Sequence, residues 1–290
     1  MYFYIFCLAV ILVTLVIQFL TRKTESSFVK RLLSGIILVA DALVIIMVGG
    51  WLLYGTSLVL SLVGVFELYR AVGIHKKGKF TDPLEIAGYI SVLLYYLSLV
   101  TVWRNIQLAA VILGLVVLMF VYVFTYPEYE YSRIMQGFFG IVYVGVMLSF
   151  VYQTRMLESG QYIVWLIFLC SWGCDTCAYC AGRLFGRHKM SPVLSPNKTI
   201  EGGIGGVLGA ILLGMAYAFL TEGPVLEYMI ICFVGALISM VGDLAASAIK
   251  RNAGIKDYSQ LIPGHGGVLD RFDSVIFTSP IIFFLATILI

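Results

Sequence analysis

Charge is what this sequence has least of. Of its 290 residues 12% are charged and 61% hydrophobic, and the mean hydropathy is +0.99. Soluble domains carry about 25% charged residues, so this composition excludes a soluble fold and predicts an all-α, polytopic integral membrane protein. Also missing are a soluble domain, an internal repeat of obvious period and any low-complexity tract. The first apolar stretch has neither a basic n-region nor a small-residue cleavage site, and Arg22 and Lys23 follow it. That excludes a cleaved signal peptide and predicts a retained membrane helix.

Apolar runs are what the chain has in plenty. Ten stretches of roughly 17–25 residues, enough to cross ~30 Å of hydrocarbon, lie near 2–20, 32–49, 51–72, 85–103, 106–125, 134–153, 161–182, 203–221, 225–250 and 274–290. The second and third are parted only by Gly49-Gly50, so the count turns on that pair. Basic residues then sort by loop. Alternate loops hold Arg22, Lys23, Lys30 and Arg31; Arg70, Lys76, Lys77 and Lys79; Arg133; Arg183, Arg187, Lys189 and Lys198; and Lys250, Arg251, Lys256 and Arg271. The intervening loops hold only Arg104 and Arg155. This bias predicts a cytosolic side for the first set and both termini outside. The loop from Arg70 to Lys79 suits anionic lipid headgroups better than nucleic acid. The Tyr126–Tyr131 stretch is the best internal boundary. The predicted organisation is an extra first helix with its basic loop over 1–31, a helical bundle over 32–133, and a motif-rich bundle over 134–290.

Four acids fall inside or at the edge of these spans: Asp41, Glu67, Asp175 and Asp243. A carboxylate at the centre of a membrane helix costs ~2.5–3.5 kcal/mol on insertion scales, so each needs a partner or a purpose. Asp41 lacks any motif, and an interhelical role is expected. Glu67 and Arg70 are spaced to pair at i, i+3. Asp175 and Asp243 both fall in the cytosolic half of their helices. In a continuous helix over 225–251, Asp243 and Ser247 share a face, and Lys250 continues it ~10 Å toward the cytosol.

Two polar stretches carry the chemistry. The first, Ser195-Pro196-Asn197-Lys198-Thr199-Ile200-Glu201-Gly202, reads as a loop placing a lysine and hydroxyls just before a glycine-rich helix start, where free amides and the helix dipole suit an anion. The second runs from Ser247 to Asp273 and is an island of charge. Asp270 and Asp273 are three apart, so at a helix start they share a face and can hold a divalent cation. Lys250, Arg251, Lys256 and Arg271 supply the positive surplus that a phosphate-rich substrate requires. Pro263-Gly264 and Gly266-Gly267 allow a tight turn by which a ligand can approach His265.

With Ser247, Lys250-Arg251, Lys256-Asp257, Pro263, His265-Gly266-Gly267, Asp270-Arg271 and Asp273 in register, this second stretch resembles the signature of the CDP-diacylglycerol synthases, or phosphatidate cytidylyltransferases. The Ser195–Gly202 stretch is similar to the nucleotide-site segment of the same family. Asp175, Ala178-Tyr179 and Gly186 fit its pattern upstream. The resemblance is specific from about Trp172 to Asp273.

It implies transfer of a cytidylyl group from CTP to phosphatidate in a bacterial inner membrane, giving CDP-diacylglycerol and pyrophosphate for phospholipid synthesis. The active site would be a polar cavity on the cytosolic side. Asp243, Asp270, Lys250 and Arg271 would be catalytic. Asp243, Asp270 and Asp273, with Asp175 as a further candidate, would hold magnesium, with room for a second, monovalent cation. Ser195, Lys198, Thr199, Glu201, Ser247, Arg251, Lys256, His265, Gly266 and Gly267 would bind substrate. No nucleic-acid partner is implied, and a homodimer is compatible.

Other readings differ in testable ways. CDP-archaeol synthases and polyprenol kinases are similar CTP-dependent enzymes with other acceptors. In a cation-coupled transporter, Asp175 and Asp243 would carry protons or sodium, but matched features would then appear in both halves, and the first half is nearly motif-free. The aspartate spacing of the CDP-alcohol phosphotransferases is not found. Cys170, Cys174, Cys177 and Cys180 are bunched but spaced wrongly for a ligand knuckle, and on an apolar span they are expected to pack as small hydrophobes.

Overall fold

The computed structural model describes residues 39–75, 82–101, 106–262 and 266–290. The first apolar span, Lys76, Lys77, Lys79, Arg104 and His265 therefore lie outside the described residues. Among these residues the chain is helical: α1 (Val39–Val48), α2 (Gly50–Ala71), α3 (Pro83–Leu99), α4 (Ile106–Phe124), α5 (Tyr131–Arg155), α6 (Gly160–Phe185), α7 (Ile200–Thr221), α8 (Val225–Asn252) and α9 (Leu269–Leu289). All but α1 and α3 are long and apolar enough to cross a membrane, seven in number among the described residues. This is a multi-pass membrane protein.

The boundaries have local causes. Gly49 and Gly50 take φ of 63° and 52°, left-handed values costly to other residues, and so break α1 from α2. Pro83 opens α3, where its missing N–H is no loss. The Asp82 carboxylate accepts from Leu84 N at 3.0 Å as its cap and from the Tyr129 hydroxyl at 2.7 Å. Two π-helical turns interrupt the spans, Ile141–Val146 in α5 and Leu169–Gly173 in α6. The stretch before α7, expected as a loop, is instead half of a small antiparallel hairpin, with β1 (Lys189–Ser191) pairing to β2 (Ser195–Thr199).

The chain divides into two compact units, one holding the described residues up to Ser149 with Asp257–Arg271, the other Phe150–Lys256 with Phe272–Ile290. The sequence grouping of 134–290 as one bundle thus differs from this division. In the first unit the core is built around Tyr69, whose hydroxyl donates to the Gly137 carbonyl at 2.7 Å. In the second, α7 packs its glycines on α6. A side chain at Gly206 would meet Ala178 and Cys174 at 2.9–3.0 Å, and one at Gly209 would meet Cys177 at 2.5 Å. Small-residue faces of this kind let membrane helices approach closely without a hydrophobic drive between them. Cys170, Cys174 and Cys232 are buried in this packing.

Candidate active site

In the second unit, three elements bring the predicted residues together. β2 delivers Lys198, whose ammonium pairs with the Asp243 carboxylate of α8, both side chains about a quarter exposed. Thr199 ends the strand and caps α7, its hydroxyl oxygen accepting from Gly202 N at 3.1 Å. Glu201, one turn in, turns back to accept from Arg187 N at 3.0 Å, from His188 N, and from the His188 ring at 2.6 Å. Thr199 and Glu201, expected at the substrate, thus brace the hairpin that presents Lys198. Ser195 is half-buried at the start of β2.

α8 runs unbroken from Val225 to Asn252, so Asp243 and Ser247 share a face as expected, and Lys250 and Arg251 occupy its last turn. Cations there also complement the helix dipole. Within this unit α9 approaches α8 closely at the same level: a side chain on Gly242 would lie 3.1 Å from the Asp273 carbonyl and 2.9 Å from Phe277. Asp273 is buried, its carboxylate accepting from Ser274 N at 2.8 Å, and it feels the charges of Asp243, Lys250 and Asp175. Asp175 follows the π turn of α6 and is half-buried. Lys256 is exposed.

In the first unit, Asp270 lies in the opening turn of α9 and is buried. Its Oδ2 accepts from Tyr258 N and Gly267 N, each at 2.8 Å, closing the loop on itself. Arg271 follows it, half-buried. Glu67 and Arg70 do not pair with each other, contrary to their i, i+3 spacing. Arg70 donates to the Tyr258 carbonyl at 2.6 Å, while Glu67 accepts from Ser259, Val268 and Leu269. The physical reason is that loop amides at a helix start need an acceptor more than an exposed guanidinium needs a partner.

The sequence model of the Cytidylyltransferase family matches residues 29–289. The chain belongs to the cytidylyltransferase family. Proteins named phosphatidate cytidylyltransferase from Staphylococcus saprophyticus and Staphylococcus epidermidis are 32% and 34% identical to it over 259 residues, 87% of this chain and 96% of theirs. One from Staphylococcus aureus is 31% identical over 254 residues.

For a cytidylyltransferase the donor chemistry matters. Among the described residues no three His, Cys, Asp or Glu side chains gather as a metal site, so the cluster of Asp243, Asp270 and Asp273 with Asp175 is not assembled as such. Asp243 and Asp273 do offer oxygen donors in one unit. Magnesium binds through one or two carboxylates plus substrate phosphates and water, so this pair fits its chemistry.

Proposed function

We infer that this cytidylyltransferase transfers the cytidylyl group of CTP to phosphatidate, releasing pyrophosphate and leaving CDP-diacylglycerol. The observation that carries the reading is the family match over residues 29–289 together with relatives of that name spanning 87% of the chain. A phosphate oxygen of phosphatidate forms a bond to the α-phosphorus of CTP as the bond from that phosphorus to the bridging oxygen breaks. The two electrons leave with pyrophosphate.

Such a reaction needs positioning and charge neutralisation rather than a nucleophilic side chain. Lys198, Lys250, Arg251, Lys256 and Arg271 bind phosphate oxygens in this reading, with Ser195, Ser247, His265, Gly266 and Gly267 lining the nucleotide site. Asp243 and Asp273 hold magnesium, with Asp270 and Asp175 as further ligands. When bound, the ion neutralises the triphosphate and the leaving pyrophosphate. The Lys198–Asp243 pair supports this assignment, since it sets a phosphate-binding cation beside a carboxylate able to hold a metal. Positive charge on one set of loops favours the cytosolic face of the bacterial inner membrane, where CTP is found.

Incubating the purified protein with labelled CTP, phosphatidate and magnesium, then extracting lipid, should give labelled CDP-diacylglycerol. Absence of labelled lipid would reject the assignment. Lys198→Ala should then lower kcat/KM for CTP by ~10–100-fold, the scale of one charge-assisted hydrogen bond. The phosphatidate dependence should change less. An unchanged CTP dependence would reduce Lys198 to a counter-ion of Asp243.

A further inference from the structure

Glu67 sits in the motif-poor half of the chain, yet it is 1% exposed and surrounded by donors from the Asp257–Arg271 segment. Its Oε2 accepts from Leu269 N at 2.8 Å and its Oε1 from Val268 N at 3.0 Å and from the Ser259 hydroxyl. These two amides open α9, and the first amides of any helix lack intrahelical acceptors. Usually a Ser, Thr, Asp or Asn just before the helix supplies one. Here that position holds Gly267, which has no side chain to offer.

Glu67 fills the gap. A Cβ built on Gly267 would lie 2.5 Å from Glu67 Oε1, so the carboxylate of α2 occupies the space of the missing cap. On the other side, Asp270 reaches back to Gly267 N as the acidic member of a capping box does. Gly266, at φ 85°, brings the backbone so close that its Cβ would lie 2.8 Å from Asp270 Oδ2. The glycine pair is therefore clasped between two carboxylates, one local and one about 200 residues away in sequence.

We propose that Glu67 is a positioning residue for cytidylyl transfer: it caps the start of α9 from α2 and so fixes the segment that carries Asp270 and Arg271. The proposal rests on the functional reading given above. Its structural half stands on geometry alone. A buried carboxylate can accept from three donors at once, which neither water nor a short cap could do here, and the negative charge also complements the helix dipole.

The test uses the full chain purified in detergent. Glu67→Gln keeps the shape but turns an NH2 donor toward the two amides. A folded protein is expected, with kcat/KM per folded molecule lowered about tenfold, and amide exchange over 258–269 accelerated by a similar factor. Exchange in α6 and α7 should not change. A merely structural role would lower the yield of folded protein while leaving both readouts per folded molecule unmoved, and that result overturns the proposal. So does a change in only one of them. Should the Gln variant fail to fold, Ser259→Ala, which removes one donor to Glu67, must move both readouts the same way by a smaller factor; no movement overturns the proposal. If wild-type protein does not use CTP and phosphatidate, the functional reading fails, and the exchange measurement still decides whether Glu67 holds the segment.

Discussion

Asp243→Asn is expected to abolish turnover, by at least ~10³-fold in kcat, in a protein that remains folded in detergent. The substitution conserves shape, so no cavity opens in the packing of α8, and its cost in stability should be small. It removes the charge that pairs with Lys198 and the oxyanion that a cation would need. Loss of a metal's contribution is worth several kcal/mol of charge stabilisation, and ~4 kcal/mol is about 10³-fold in rate. The check is initial-rate kinetics beside thermal unfolding of the same preparation. Turnover within about tenfold of wild type would sink the assignment of Asp243.

Asp270 allows a sharper separation of roles. Its Oδ2 takes two buried amides, from Tyr258 and Gly267, and an Asn carbonyl can still accept both. Asp270→Asn should therefore leave amide exchange over the loop near wild type while lowering kcat about 100-fold or more, because only the charge is lost. Asp270→Ala, by contrast, leaves two buried donors unsatisfied at ~1–3 kcal/mol each, and should loosen the loop as well as stop the reaction. Full activity in the Asn variant would make Asp270 a loop anchor and nothing more.

How much of this could be read from the chain depends on the range of each interaction. Helix positions were legible because an apolar run of membrane length has few alternatives. Even the doubtful break at Gly49-Gly50 is there, with both glycines left-handed. The pairing of Lys198 with Asp243 spans 45 residues and was legible only as two separate candidates. The hairpin before α7 was hidden, since Ser-Pro-Asn-Lys-Thr reads as a turn and its strand partner is a three-residue piece. Glu67 was the hardest case. Its nearest basic neighbour in sequence, Arg70, suggested a local pair, whereas its actual donors lie 192 to 202 residues further on. Spacing rules for helices see three or four residues ahead, not two hundred. The same limit applies to Asp270, whose type and position suggest a ligand while its geometry shows an oxygen already shared by two amides.

The π turn at Leu169–Gly173 has a consequence for which kinds of sequence change α6 can absorb. A π turn is in effect one residue inserted into an α-helix. Each residue of an α-helix turns the chain by about 100°. Deleting any one residue there would restore the regular ladder and swing everything downstream by about that angle. Asp175 and the Cys174–Ala178 surface that packs on the α7 glycines would both leave their positions. Substitutions of similar size in this turn should be borne far more easily than a change in its length, so that here the number of residues matters more than their identity.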